Sequence, residues 1–374
     1  MDFSYTSEQD ALRDSVRRFT EREYGWETRF DIIRSAPGAQ PDHWPTFAEL
    51  GWLGAGLSEE EGGFGGGAIE NALIAEEFGR ALAIEPFVAH VMATQLLAGL
   101  GGEQAATLLA AAVMGEQRIF PALTEADGRG DAAFIEAIVA KAADGGLRLN
   151  GAKSLVDGAA MADKLLVSAR ADGEVGLYLV DAKAAGLSRR DYRTLDNHRV
   201  ADLTFADVAA EQLALGPQAE AAITRAVDHG TVALCGEALG IMDAALWATR
   251  DYLRVRKQFG TTLNNFQALQ HRMADMLIEV ELARSALFHA FGAMAEDDPL
   301  MRQAGVSAAK VQAGHGGLFV TAQAIQLHGG IGVTEELNIS HHYRRLYVIA
   351  RLLGDNDSHI ERFAAAIDRL DGQG

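Results

Sequence analysis

Apolar residues recur at helical spacing through the first and last thirds of this chain, while the stretch from about Arg118 to Leu213 breaks into short apolar runs separated by turn residues. A chain in that order must bury two sets of helices and one β unit. The pattern therefore predicts an α+β fold: a helical N-terminal domain over 1–117, a β-barrel or sandwich over 118–213, and a helical bundle over 214–374. Thr6 followed by Gln9 is a capping box, with Leu12, Val16 and Phe19 on one face behind it. In the middle, Leu165 to Ser168, Gly176 to Val180 and the alternation Ala201, Leu203, Phe205 fit strands, with turns expected at Asp144-Gly145-Gly146, Asn150-Gly151 and Asp172-Gly173. Later helices break at Asn264-Asn265 and Asp297-Asp298-Pro299.

Composition excludes several classes. The net charge is −19 and no lysine or arginine cluster stands out, which argues against nucleic acid or an anionic membrane as partner. Residues 81–102 are rich in apolar side chains, but Glu85, Pro86, His90 and Gln95 interrupt them, so buried helices are expected rather than a membrane span. Cys235 is the only cysteine, which forbids an intrachain disulfide and fits a small buried residue in a reducing cytoplasm. Met1-Asp2-Phe3-Ser4 has neither a basic start nor an apolar stretch, so a soluble, cytoplasmic protein without a signal peptide is expected. The glycine run Gly62 to Gly67, interrupted by Phe64, follows no strand and has the wrong spacing for a dinucleotide loop; it reads as a turn into a helix.

Two motifs in the last third carry chemistry. In Tyr252-Leu253-Arg254-Val255-Arg256-Lys257-Gln258-Phe259-Gly260, an arginine at a helix end offers a planar fork for a pyrophosphate, and a phenylalanine offers a face for an aromatic ring. In Gln326-Leu327-His328-Gly329-Gly330-Ile331-Gly332, consecutive glycines let backbone come close to a ligand. Taken singly, Arg256 is a helix-end charge, Phe259 a core residue and the glycines a helix stop. As an ordered pair they resemble the acyl-CoA dehydrogenase family. Trp44 to Trp52, Glu59 to Gly63, Leu123-Thr124-Glu125 and Asn150-Gly151-Ala152-Lys153 extend the likeness, which runs from about Asp2 to Phe363.

The resemblance implies the acyl-CoA dehydrogenase fold, a dimer or tetramer, and FAD as cofactor. Arg256 and Phe259 from one subunit, with Gln326, Gly329 and Gly330 from its neighbour, would hold the ADP half, and Thr124 would stand beside the flavin. The implied reaction is FAD-dependent α,β-dehydrogenation of an acyl-CoA thioester to the 2-enoyl-CoA, with an electron-transfer flavoprotein as acceptor. That chemistry needs a carboxylate to take the α-proton, best with burial lifting its pKa toward working pH.

Neither usual base position holds one. Leu353 stands where many members carry a glutamate, and Gly230 stands at the second lineage's position. Asp355 and Asp228 are the replacements nearest in sequence; Asp355 falls where the family has a flavin-facing threonine, so the resemblance also places it as a cofactor-binding residue accepting hydrogen bonds from the flavin, and Asp228 suits an ordinary helix acid. Leu155 replaces the family's flavin-covering tryptophan, losing stacking area. Glu237 is expected to be structural, and the adjacent His341 and His342 cannot both face one metal ion from a regular helix. These departures resemble the subgroup labelled pimeloyl-CoA dehydrogenase small subunit and the heteromeric bacterial dehydrogenases of sterol side chains. They leave two alternatives: a self-sufficient enzyme of fatty acid or steroid catabolism, or a non-catalytic subunit completing the FAD site of a heterotetramer.

Overall fold

The computed structural model describes residues 4–35 and 39–372; Met1–Phe3, where no leader was read, lie outside them. Helix gives way to strand at Ile119 and returns at Pro217. Compactness groups the chain into two units rather than three segments: Met1–Phe30, Ala72–Ala83 and Thr231–Gly374 form one, Asp31–Asn71 and Ile84–Gly230 the other.

In the first unit, α1 (Ser7–Glu23) opens on the expected capping box: Gln9 N donates to Thr6 Oγ1 at 3.2 Å, and Thr6 N donates to the Gln9 side chain at 3.0 Å. The body of the unit is α8 (Gln267–Met294), α9 (Pro299–His328), α10 (Ile339–Ile349) and α11 (Asn356–Asp371), with parts of α4 (Ala68–Ala81) and α7 (Pro217–Val255). Asp298 caps α9 by accepting from Leu300 N at 2.8 Å, with Pro299 at the first helical position. α4 and α7 touch backbone to backbone, since a Cβ on Gly240 would lie 1.8 Å from the Glu76 carbonyl oxygen; no larger residue fits without parting the helices. Beside this seam, buried Glu77 accepts both Arg17 Nε (3.0 Å) and Arg17 Nη2 (2.6 Å), and Arg80 reaches Asp243 at 3.0 Å. Helix α7 is long and apolar enough to cross a membrane, but 78% of its most apolar stretch is buried in protein, as befits a core helix.

The second unit holds α3 (His43–Glu49), α5 (Phe87–Leu100), α6 (Gly102–Val113) and a seven-stranded sheet. The strands are β1 (Ile119–Ala122), β2 (Ile138–Lys141), β3 (Leu147–Asp157), β4 (Lys164–Ala171), β5 (Glu174–Asp181), β6 (Leu187–Arg193) and β7 (Arg199–Leu215). The ladder β4–β2–β3–β7–β5 returns to β4, closing a small barrel; β1 joins β4 in parallel and β6 lies antiparallel on β7. Ala201, Leu203 and Phe205 are buried in alternation along β7, as their spacing predicted. Helix α5 is buried almost all round, which accounts for the apolar stretch over 81–102. Gly62 to Gly67 do form the turn before α4.

One expected turn is wrong. Asn150-Gly151 lies inside β3, where the register with β7 shifts between Leu149 and Gly151. It is a bulge, pinned by Asp207 N donating to Asn150 Oδ1 at 2.9 Å, and an Asn-Gly pair satisfies a bulge as readily as a hairpin.

Candidate functional site

Helix α7 stops at Val255 and Arg256 leads into a hairpin: β8 (Lys257–Gln258) pairs with β9 (Thr261–Thr262), Lys257 opposite Thr262. The loop residues Phe259 and Gly260 both have left-handed backbone, φ 53° and 83°, as a type I′ turn requires. Glycine enters that region freely, whereas phenylalanine does so at a cost of about 1 kcal/mol. The strain gains no core, because Phe259 is 89% exposed, its ring edge-on to Phe266 at 6.1 Å between centroids. An exposed aromatic on a strained tip, beside exposed Arg256, is built to meet something outside its own unit.

The second motif ends α9. Gly329 (φ 67°) stops the helix, its N–H donating to the carbonyls of Ile325 and Gln326, and nothing lies within 4 Å of a Cβ built on Gly329 or Gly330. Gln326, Gly329 and Gly330 are exposed. The two motifs share a brace: the Tyr252 ring stacks on His328 at 4.4 Å, and its hydroxyl donates to the His328 carbonyl at 3.3 Å. His328 itself is buried, with Nδ1 donating to the Ala324 carbonyl at 2.8 Å, and burial holds its pKa down. It ties the end of α9 to the end of α7.

Within the barrel unit, Lys153 is fully buried. Its ammonium donates to Glu125 Oε1 (2.7 Å), Ser168 Oγ (3.0 Å) and the Leu123 carbonyl (3.2 Å). Burial works to raise the Glu125 pKa, but the lysine hydrogen bond and charge outweigh it and hold the carboxyl below its ordinary value. Glu125 also accepts from Glu136 N and Ala137 N, so one ion pair fixes the loop after β1. Thr124 and Ser154 bond reciprocally, Thr124 Oγ1 to the Ser154 carbonyl at 2.7 Å and Ser154 N to the Thr124 carbonyl at 2.9 Å. A second register shift, between Lys153 and Val156, puts Leu155 in left-handed backbone (φ 54°) and leaves its side chain 44% exposed.

The candidate bases fare differently. Leu353 has φ 56°; its carbonyl accepts from His359 Nε2 at 3.0 Å, and buried Lys310 donates to the Gly354 carbonyl at 2.9 Å. Asp355 caps α11, accepting from Ser358 N (2.9 Å) and Ser358 Oγ (2.7 Å) through Oδ1. Those bonds hold its carboxyl below the usual range and leave it exposed, the reverse of a buried base poised near neutrality. Asp228 is sealed from solvent on α7 and already engaged with neighbouring groups, and Gly230 is buried two residues on. Asp355 is thus engaged as a helix cap, and Asp228 lies buried among its partners on α7. Glu237 is structural too, taking Arg345 in a bidentate pair at 2.5 and 2.7 Å. Among the described residues no group of three or more His, Cys, Asp or Glu could hold a metal ion.

Three family models match the chain: the acyl-CoA dehydrogenase N-terminal domain over residues 6–116, the middle domain over 121–208 and the C-terminal domain over 220–367. A solved structure, a variant of the Tcur3481-Tcur3483 steroid ACAD, is 32% identical with a TM-score of 0.89, covering 98% of this chain and 99% of its own. The chain belongs to the acyl-CoA dehydrogenase family. Butyryl-CoA dehydrogenase from Megasphaera elsdenii is 25% identical with a TM-score of 0.87, covering 98% and 100%. Acryloyl-CoA reductase (NADH) from Anaerotignum propionicum is 27% identical over 96% of this chain and 94% of its own. This acyl-CoA dehydrogenase is accordingly a flavoprotein oxidoreductase of CH–CH groups with FAD as its cofactor. Its residues fit an FAD: an exposed arginine fork, an exposed aromatic face and open space over two glycines are what a pyrophosphate and an adenine need.

Proposed function

We propose that this chain serves the α,β-dehydrogenation of an acyl-CoA to the 2-enoyl-CoA as the FAD-holding member of a two-chain assembly, the base coming from a second acyl-CoA dehydrogenase-like subunit. The observation that carries this reading is the turn at Leu353–Asp355, where leucine occupies the glutamate position and the nearby aspartate is consumed as a helix cap. Arg256, Phe259, Gln326, Gly329 and Gly330 hold the ADP half of FAD, and Thr124 and Leu155 stand beside the flavin, which accepts the hydride when bound. The two-protein name of that relative supports a paired assembly, and its description as a steroid ACAD supports a steroid acyl-CoA as one class of substrate. Electron-transfer flavoprotein is the acceptor, and the assembly is a cytoplasmic heterotetramer.

Anaerobic mixing of the FAD-loaded chain with straight-chain, branched, dicarboxyl and steroid acyl-CoAs tests this through bleaching of the flavin absorbance. No bleaching is expected from the chain alone and rapid bleaching after co-assembly with its partner. Rapid bleaching by the isolated chain would establish the self-sufficient enzyme instead.

A further inference from the structure

Between the glycine turn and α10, three side chains form a relay. Glu335 accepts from His341 Nε2 at 2.6 Å and from Arg344 Nη2 at 2.8 Å. His341 Nδ1 faces Arg29 Nη1 at 3.2 Å, and Arg29 Nε donates to the Leu82 carbonyl at 2.7 Å. A guanidinium can only donate, so Nδ1 must be bare and the single ring proton must sit on Nε2, directed at Glu335. Trp26 and Phe30 hold the ring edge-on, at 4.8 and 5.6 Å. The His341 side chain is 2% exposed while Glu335 is 55% exposed, so a buried imidazole anchors a surface loop.

We infer that His341 is a positioning residue for the cofactor turn, acting as a neutral relay that ties Glu335, and with it the segment from Gly329 to Asn338, to Arg29. The inference rests on the assignment of Gly329 and Gly330 to the ADP half of FAD. Without the relay the segment keeps Tyr252 on His328 at its root, Thr334 Oγ1 donating to the Ile331 carbonyl at 2.9 Å and Arg344 on Glu335, but it loses its tie to the buried Arg29. A second proton on His341 would point at Arg29 and break the bond. The charged and titratable groups around the ring are Arg29 on the helix that begins at Trp26, Glu335 in the loop, and Arg344 and His342 on α10. Burial, opposed by Glu335 and aided by Arg29, keeps His341 neutral at physiological pH.

The test measures FAD affinity against pH for the full chain, with hydrogen exchange of the 329–338 amides in parallel. H341F should weaken FAD about tenfold at pH 8, the worth of a lost charge-assisted hydrogen bond, and H341Q, which keeps a neutral donor and acceptor, should restore it to within about threefold. Wild-type affinity should fall and exchange quicken on acidification below the ordinary histidine range, because burial holds the His341 pKa down, while H341Q stays flat. An acid response that persists in H341Q would place its origin in another group and overturn the relay. If FAD binds to no variant but exchange still shows the H341F loss and the H341Q rescue, the relay stands and the FAD assignment fails.

Discussion

Two turns in the same unit, Arg256–Gly260 and Leu353–Asp355, both force a bulky residue into left-handed backbone, yet they do opposite things with it. At the first, Phe259 is thrust outward beside an exposed arginine. At the second, the polar groups are engaged within the unit: Leu353 and Gly354 carbonyls accept from His359 and Lys310, and Asp355, though exposed, caps its own helix. Strain that ends in exposure marks a surface made to bind, and strain that ends in satisfied hydrogen bonds marks a scaffold. Holding the cofactor and supplying the proton acceptor are separable tasks, and the proposed function gives this chain the first.

Removing both binding groups should have the largest effect. The pair Arg256→Ala with Phe259→Ala is expected to weaken FAD by on the order of a few hundredfold, by flavin fluorescence titration, while Asp355→Asn leaves affinity within about threefold. Retained affinity in the double variant would erase the contrast between the turns. Converting the scaffold turn comes next: Leu353→Glu puts a carboxylate at the usual position and should raise the rate of flavin bleaching in the isolated chain by on the order of a hundredfold. A silent Leu353→Glu at full FAD occupancy would mean that the turn lacks more than a base.

Acid should also loosen the scaffold turn. Burial pushes the His359 pKa down to about 4, so the unfolded chain takes its proton at about pH 6.5 while the folded one resists. Stability is thus lost as pH falls from about 6.5 toward 4, by on the order of 2 kcal/mol from this residue, and His359→Asn should flatten that slope in urea unfolding. Smallest of all, Asp355→Ala should cost about 1 kcal/mol through the lost α11 cap. A much larger loss, or a change in the pH profile of turnover, would return Asp355 to the candidate bases.

The helix–strand–helix order, the Thr6 cap and the β7 alternation were legible in residue order because each depends on neighbours a few positions apart. So were Arg256, Phe259 and the glycines as a pair of motifs. The Phe259 hairpin was not, since type I′ turns usually announce themselves by Asn-Gly or Asp-Gly, and here the Asn-Gly pair at 150–151 sits in a bulge instead. Lys153 was visible only as part of a motif; nothing local says that its partners would be Glu125, 28 residues back, and Ser168, 15 ahead. The roles of the candidate bases were equally hidden, because a lone Asp before Ser-His reads alike as cap or catalyst until its hydrogen-bond partners are known.

Periodicity is a property of the chain itself and was enough to predict the fold class, while family and cofactor followed from the resemblance that its two motifs carry. Which carboxylates are free, which aromatic is exposed and which histidine nitrogen carries the proton depend on groups brought together from distant segments. Arg29 against His341 and Arg345 against Glu237 are such cases. A side chain's charge state and availability follow from its neighbours and from how far water reaches it, and only folding sets either.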